Sequence, residues 1–177
     1  MTRYLTICIL LVTSSVSAQK LTLYPTIAYG RLGEGDLSSL VLANELNVQM
    51  TKTFGTNLKL GFMQTYSLER YLQQVSSINA DLLFTFKPIQ GKIISFSFVT
   101  GGSIRNRVSR YIFYYDNVNK DKSIYKTEAS KDRGIVLNIE TELKLNPSRK
   151  IKIWTGPKYY NKGTEIWELG IGYGIGL

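Results

Sequence analysis

The sequence predicts an all-β fold, an eight-stranded antiparallel up-and-down transmembrane β-barrel, and three observations predict it. Eight segments of 9 to 14 residues show period-two alternation or β-branched and aromatic enrichment. No stretch sustains a 3.6-residue apolar period. The connections between segments alternate in length, long then short, which suits a chain threaded back and forth through a bilayer.

The 177 residues are enough for one domain or two small ones. Composition excludes several function classes. The chain has no His and a single Cys, Cys8, so Ser-His-Asp and Cys-His catalytic sets, zinc sites of the common kind and internal disulfides are ruled out. No P-loop, dinucleotide fingerprint or metal-ligand spacing occurs, and no cofactor is expected. The hydrophobic share of 44% is too high for a disordered chain and too low for a helical membrane bundle. A net charge of +9 would suit nucleic acid, but the N-terminus argues for export and against that partner.

Residues 1–18 read MTRYLTICILLVTSSVSA. Arg3 supplies a positive start, Leu5–Val12 an apolar run too short to span a bilayer, and Val16 and Ala18 the small residues of a cleavage site. This is the expected signal peptide, with the cut before Gln19 and residues 19–177 forming the barrel domain. Cys8 lies inside the apolar run, so the exported chain would carry no Cys and would hold its fold without disulfides.

The predicted strands are Leu21–Gly30, Leu40–Met50, Asn57–Ser67, Ser76–Lys87, Lys92–Arg105, Gly134–Leu145, Lys150–Lys158 and Thr164–Leu177. In the four clearest of them one face is almost entirely apolar, with Leu82, Phe84, Leu137, Ile139 and Ile171 as examples. The opposite face carries Glu45, Asn47, Asp81, Thr85, Glu140, Glu142, Glu168 and the glycines 170, 172, 174 and 176. The connections Thr51–Thr56, Pro88–Gly91 and Asn146–Arg149 are short, and Arg31–Ser39, Leu68–Val75 and Asn106–Arg133 are longer; only Tyr159–Gly163 breaks the alternation. With short turns on one side and loops on the other, the polar face is expected to point inward. The interior of an eight-stranded barrel is just wide enough for side chains to fill. Glycines there would relieve crowding, whereas on a solvent-facing strand they would only weaken it. The acids Glu45, Asp81, Glu140, Glu142 and Glu168 would then meet Lys59, Lys150 and Lys152, which share the polar parity, because buried charges must pair.

On this pattern the exported chain resembles the small eight-stranded outer-membrane β-barrels, the family typified by the membrane domain of outer membrane protein A. The segment Glu168–Leu177, with its glycines, alternating apolar residues and Tyr173, is similar to the C-terminal signal read by the barrel-assembly machinery, although Leu177 stands where Phe or Trp is usual. The resemblance implies a cell outer-membrane location, membrane lipid as surroundings, the assembly machinery as a partner in biogenesis, and a packed porin-like barrel without enzymatic activity. Pro25 and Pro157 depart from the pattern and are expected at bulges or beyond the membrane band.

The longest connection has a strand-like first arm, Arg110–Asp116, a turn-like Asn117–Asp121 and a second arm, Ser123–Thr127. It is expected to be an extracellular hairpin continuing the fifth and sixth strands. Arg110, Tyr111, Tyr114, Tyr115, Lys120, Lys122 and Lys126 are its candidate contacts for lipopolysaccharide or another surface ligand.

Two other readings stay open. A soluble exported barrel of the lipocalin kind would turn the Leu/Phe face inward around an apolar ligand. A lipid-modifying membrane enzyme would have to work through carboxylates or Ser groups alone. Glu140 and Glu142 stand about 7 Å apart on one strand face, and ion pairing is the simpler role for them.

Overall fold

The computed structural model describes residues 20–33, 37–66, 74–114, 124–161 and 164–177. The expected signal peptide lies outside the described residues. The strands are β1 (Lys20–Leu32), β2 (Leu37–Gln49), β3 (Phe54–Tyr66), β4 (Gln74–Gln90), β5 (Ile94–Tyr114), β6 (Ile124–Asn146), β7 (Arg149–Tyr160) and β8 (Glu165–Gly176). Each pairs antiparallel with the next, and β1 pairs with β8 to close the barrel. All eight predicted strands are present, and most run longer than the alternation alone indicates.

The longer strands shorten the turns. At one end of the barrel β2 and β3 are joined by Met50–Thr53, β4 and β5 by Gly91–Ile93, and β6 and β7 by Pro147–Ser148. Each turn closes with local hydrogen bonds. Thr51 Oγ1 accepts from the Phe54 N–H at 2.9 Å, Gly91 N–H donates to the Ile94 carbonyl at 2.8 Å, and Ser148 N–H donates to Asn146 Oδ1 at 2.9 Å. This is the turn end; the opposite end is the loop end. A ladder continues for as long as a neighbour offers unpaired backbone groups, and such groups cannot be left bare in hydrocarbon.

The prolines correct the sequence-based expectation. Neither Pro25 nor Pro157 sits at a bulge or past a strand end. Pro25 faces Asn44 in an unbroken β1–β2 ladder, and Pro157 faces Trp167 in the β7–β8 ladder. On the other side each leaves a gap. The β1–β8 ladder skips Tyr24 and Pro25, the β6–β7 ladder skips Gly156 and Pro157, and both resume in unshifted register. A strand residue directs its backbone groups toward one neighbour only, so a proline forfeits a bond on one side and leaves the other ladder intact. The register shifts fall instead at Phe86/Ile89, Ile112/Tyr114 and Lys144/Asn146.

The side chains settle which face points inward. Leu82, Phe84 and Leu137 lie on the outside with 54%, 60% and 46% of their surface exposed, in a belt with Leu60, Phe98, Ile139, Ile153 and Ile171. Glu45, Lys59, Asp81 and Glu168 point into the lumen and are at most 3% exposed. Grease outside and ions inside is the reverse of a soluble protein. It leaves no place for the lipocalin-like reading, in which those leucines and phenylalanines would line a pocket.

The glycine row faces inward, as crowding requires. A Cβ at Gly170 would run into the Trp154 ring, one at Gly174 into the Tyr24 ring, and one at Gly172 would come within 2.8 Å of Thr26 Cγ2. Gly176 lies at the exposed turn end beside the Ser148 backbone. Gly170→Val is therefore expected to lower stability by about 1–3 kcal/mol through overpacking. Gly176→Val should change it by less than about 0.5 kcal/mol. Urea midpoints of the refolded barrel would check both.

The lumen is not polar throughout. Leu32, Leu37, Val41, Met63, Val75, Tyr160 and Ile166 cluster in it with Ala28 and Trp154, mostly toward the loop end. Leu83, Val99 and Val136 form a second, smaller cluster across β4, β5 and β6.

Candidate functional site

The lumen arranges its charges in three sets along the barrel axis. Nearest the turn end, Lys152 Nζ lies 2.5 Å from Glu45 and 3.7 Å from Glu140. Glu142 faces Lys150 at 3.3 Å and Lys87 at 3.7 Å, and accepts from the Tyr24 hydroxyl at 2.6 Å. Asn57 donates to Glu45 at 2.6 Å and accepts from Asn47 at 2.6 Å. In the middle set, Lys158 Nζ bridges Asp81 at 2.8 Å and Glu168 at 3.1 Å, and Lys59 reaches Glu168 at 3.5 Å. Ser103 donates to Asp81 at 2.6 Å and shares a 3.0 Å hydrogen bond with Tyr160. The aromatic rings carry cations: Lys59 lies 4.5 Å from the Trp154 ring and Lys152 4.6 Å from the Tyr24 ring. In the third set, toward the loop end, Arg105 donates to Asp132 at 2.7 Å and Arg107 lies 3.5 Å from it.

All eight residues singled out for the interior network face the lumen. Glu45, Lys59, Asp81, Glu140, Glu142, Lys152 and Glu168 are buried, and Lys150 is half-buried near the turn end. Sequence reasoning missed Lys158 and the Arg105–Asp132 pair, and it puts Lys87 on the polar face without naming it as a partner of the acids. Lys158 shares the parity of Lys150 and Lys152, so the same count would have found it. Asp132 falls in a stretch that the sequence reads as loop. Each carboxylate here is engaged by a cation or a donated hydrogen bond. The Glu140 and Glu142 pair is thus committed to Lys152, Lys87, Lys150 and Tyr24, as ion pairing requires.

The second feature is the β5–β6 hairpin. Gln74, the first residue of β4, pairs with Arg110, and Tyr160, the last of β7, pairs with Gly134. Beyond Gly134, β6 extends for ten residues, Ile124–Arg133, about 33 Å at the rise of a strand. Its two faces differ. On the face that continues the lumen wall, Tyr111 lies opposite Lys126, and Glu128 accepts from both at 2.8 Å. Lys126 and Tyr111 hold the Glu128 carboxyl below its usual range, and Glu128 raises Lys126 in return. On the face that continues the apolar outer wall, Arg110 stacks over Tyr125 at 4.4 Å. Exposed Lys131 and Arg133 follow along that same flank.

The seven hairpin candidates therefore do not form one patch. Arg110 lies on the outer flank, while Tyr111 and Lys126 face the other way and are spent on Glu128. The Tyr114 backbone pairs with Ile124. Its side chain, and Tyr115, Lys120 and Lys122, lie outside the described residues. Sequence reasoning also missed Lys131 and Arg133 as companions of Arg110, although continuing the parity of β6 outward would have placed them there.

No protein-family model matches the chain, and no curated protein sequence does. Solved structures do. The chain is similar to a major outer membrane protein from Thermus thermophilus at a TM-score of 0.60 and 15% identity, over 90% of this chain and all of that one. The fold is that of the small outer-membrane β-barrels. The chain is also similar to Neisserial surface protein A, at a TM-score of 0.59 and 10% identity over 90% of this chain and 97% of that one. A third likeness is to the attachment invasion locus protein of Yersinia pestis in complex with the heparin analogue sucrose octasulfate. There the TM-score is 0.55 and the identity 9%, over 89% of this chain and 97% of that one.

Proposed function

We propose that the protein is a non-enzymatic barrel of the cell outer membrane that presents a basic hairpin flank to anionic lipid at the cell surface. The observation that carries this reading is the inverted wall, with Leu82, Phe84 and Leu137 outside and Glu45, Lys59, Asp81 and Glu168 within. Only hydrocarbon surroundings reward an apolar exterior of that extent. In this reading residues 1–18 direct export and are removed. Glu168–Leu177 is the segment the barrel-assembly machinery reads, and the loop end faces outward. The engaged lumenal carboxylates support a structural rather than a catalytic interior.

The hairpin supplies the surface role. Arg110, Lys131 and Arg133 stand on its outer flank, directly beyond exposed Ile104, Val108 and Ile135. Side chains at that height meet the phosphates of lipopolysaccharide rather than its acyl chains. The Yersinia pestis barrel in complex with sucrose octasulfate lends support, since a sulfated sugar is a comparable polyanion. Lys126, a candidate on sequence grounds, is neutralised by Glu128 and falls out of the set.

Replacing Arg110, Lys131 and Arg133 together by Ala should weaken binding of lipopolysaccharide to the reconstituted barrel by about a hundredfold, at about 1 kcal/mol per basic residue near an anionic surface. The binding should also lose most of its salt dependence. An unchanged affinity contradicts the proposal, and Lys126→Ala serves as the control expected to change little.

A further inference from the structure

We propose that Arg105 and Asn79 bind a small monovalent anion of the halide class between them, in the loop-end part of the lumen. The two residues face each other directly across the β4–β5 ladder. Their side chains start about 4.5–5.5 Å apart and both point inward, at 0% and 2% exposure. Arg105 uses its Nε and Nη2 on Asp132, at 3.2 and 2.7 Å, and lays its guanidinium over the Tyr160 ring at 3.9 Å. Asn79 accepts from the Ser77 hydroxyl at 3.0 Å, which fixes its carbonyl side and turns its amino group away. Arg105 Nη1 and Asn79 Nδ2, with two N–H groups each, have no hydrogen-bond partner among the described residues. Buried donors left unmade are costly, so two of them on side chains that face each other across one ladder point to an acceptor between them.

The charge balance says what kind of acceptor. In the turn-end set three carboxylates (Glu45, Glu140, Glu142) face three cations (Lys87, Lys150, Lys152). In the middle set Asp81 and Glu168 face Lys59 and Lys158, again in balance. In the loop-end set Asp132 alone faces two guanidiniums, Arg105 and Arg107. Glu128, farther along the same face, is exposed and matched by Lys126. Lys144, on the same face at the turn-end rim, donates to the Gly91 carbonyl and is open to water; away from that rim, one positive charge is in excess in the lumen among the described residues, and it belongs to the loop-end set. A water would satisfy the donors but leave the charge; a monovalent anion does both. The full burial of both residues limits the ligand to a small ion. Because Arg105 and Asp132 join the two arms at the root of the hairpin, the bound ion would also stiffen the hairpin's attachment to the barrel.

The test uses the purified full chain in detergent, with chloride as the probe. Its thermal midpoint should rise saturably with sodium chloride but not with sodium gluconate at equal ionic strength. Chloride-35 resonance should show excess line broadening. Asn79→Asp places a fixed carboxylate beside Arg105 in place of the ion. It should cut that broadening at least tenfold and make the midpoint indifferent to chloride. Crystals of the unaltered chain soaked in bromide should show an anomalous peak within hydrogen-bond reach of Arg105 and Asn79, which decides the matter even if the variant does not fold. Equal midpoints in the two salts, or bromide crystals with no anomalous peak between these side chains, would overturn the proposal in favour of a bridging water.

Discussion

Replacing Lys158 by Met should destabilise the barrel by about 3–5 kcal/mol, the usual consequence of stripping one partner from a buried ion pair. Lys158 is 1% exposed and serves two carboxylates at once, Asp81 at 2.8 Å and Glu168 at 3.1 Å. Met is close to Lys in length and fills the same space, so the loss isolates the charge. Among the described residues Asp81 would keep only the Ser103 hydroxyl and Glu168 only Lys59, at 3.5 Å. Urea titration of the barrel in lipid vesicles reads the change directly. Lys126→Met, which breaks the exposed pair with Glu128, is the matched control and should leave the midpoint nearly unmoved. If the two variants were equally stable, the lumenal charges would not be a buried, mutually dependent set.

Placing Arg at Leu137 should cost about 2–4 kcal/mol in a bilayer, the penalty for a cation on the lipid face near the midplane. Leu137 lies in the outward row of β6, midway between the turn end and the hairpin. The same change at Leu145, in that row but next to the turn joining β6 to β7, should cost about 0–1 kcal/mol, because the bilayer interface begins there. The depth dependence is the informative part. In a water-surrounded barrel both substitutions would sit on an exposed wall and both would be close to neutral. Refolding free energies in vesicles of fixed composition would separate the two cases.

Much of this architecture is legible in the sequence, and the reason is the strand period of two. It carries both the existence of each strand and the face each residue shares, so parity groups Glu45, Lys59, Asp81, Glu140, Glu142, Lys152 and Glu168 on one face, and the alternating connection lengths and the glycine row turn that face into the lumen. The glycine row is legible for the same reason, although its partners, Trp154 and Tyr24, depend on which strands adjoin. What the sequence conceals is register. Whether Arg105 stands opposite Asn79 and Asp132 depends on how far β5 slides against its two neighbours, and no local pattern states that. The prolines mislead because a rule about free edges applies to one side of a strand, and Pro25 and Pro157 each interrupt a single side of the ladder. The hairpin candidates scatter because they are chosen by residue type along the two arms, without regard to which face each takes. Once the arms are strand, Arg110 and Lys126 must lie on opposite faces.

The chain carries two tryptophans, and the barrel wall separates them. Trp167 faces out from β8 at 51% exposure, and Trp154 faces the lumen from β7 at 2%. The most direct measurement takes Trp154→Phe and Trp167→Phe, each left with one tryptophan, into vesicles whose acyl chains are brominated near the headgroup. Bromine should quench the emission of Trp167 strongly and leave that of Trp154 nearly untouched. Strong quenching of Trp154 with Trp167 spared would mean that the apolar face lines the lumen, and the inverted wall would be refuted.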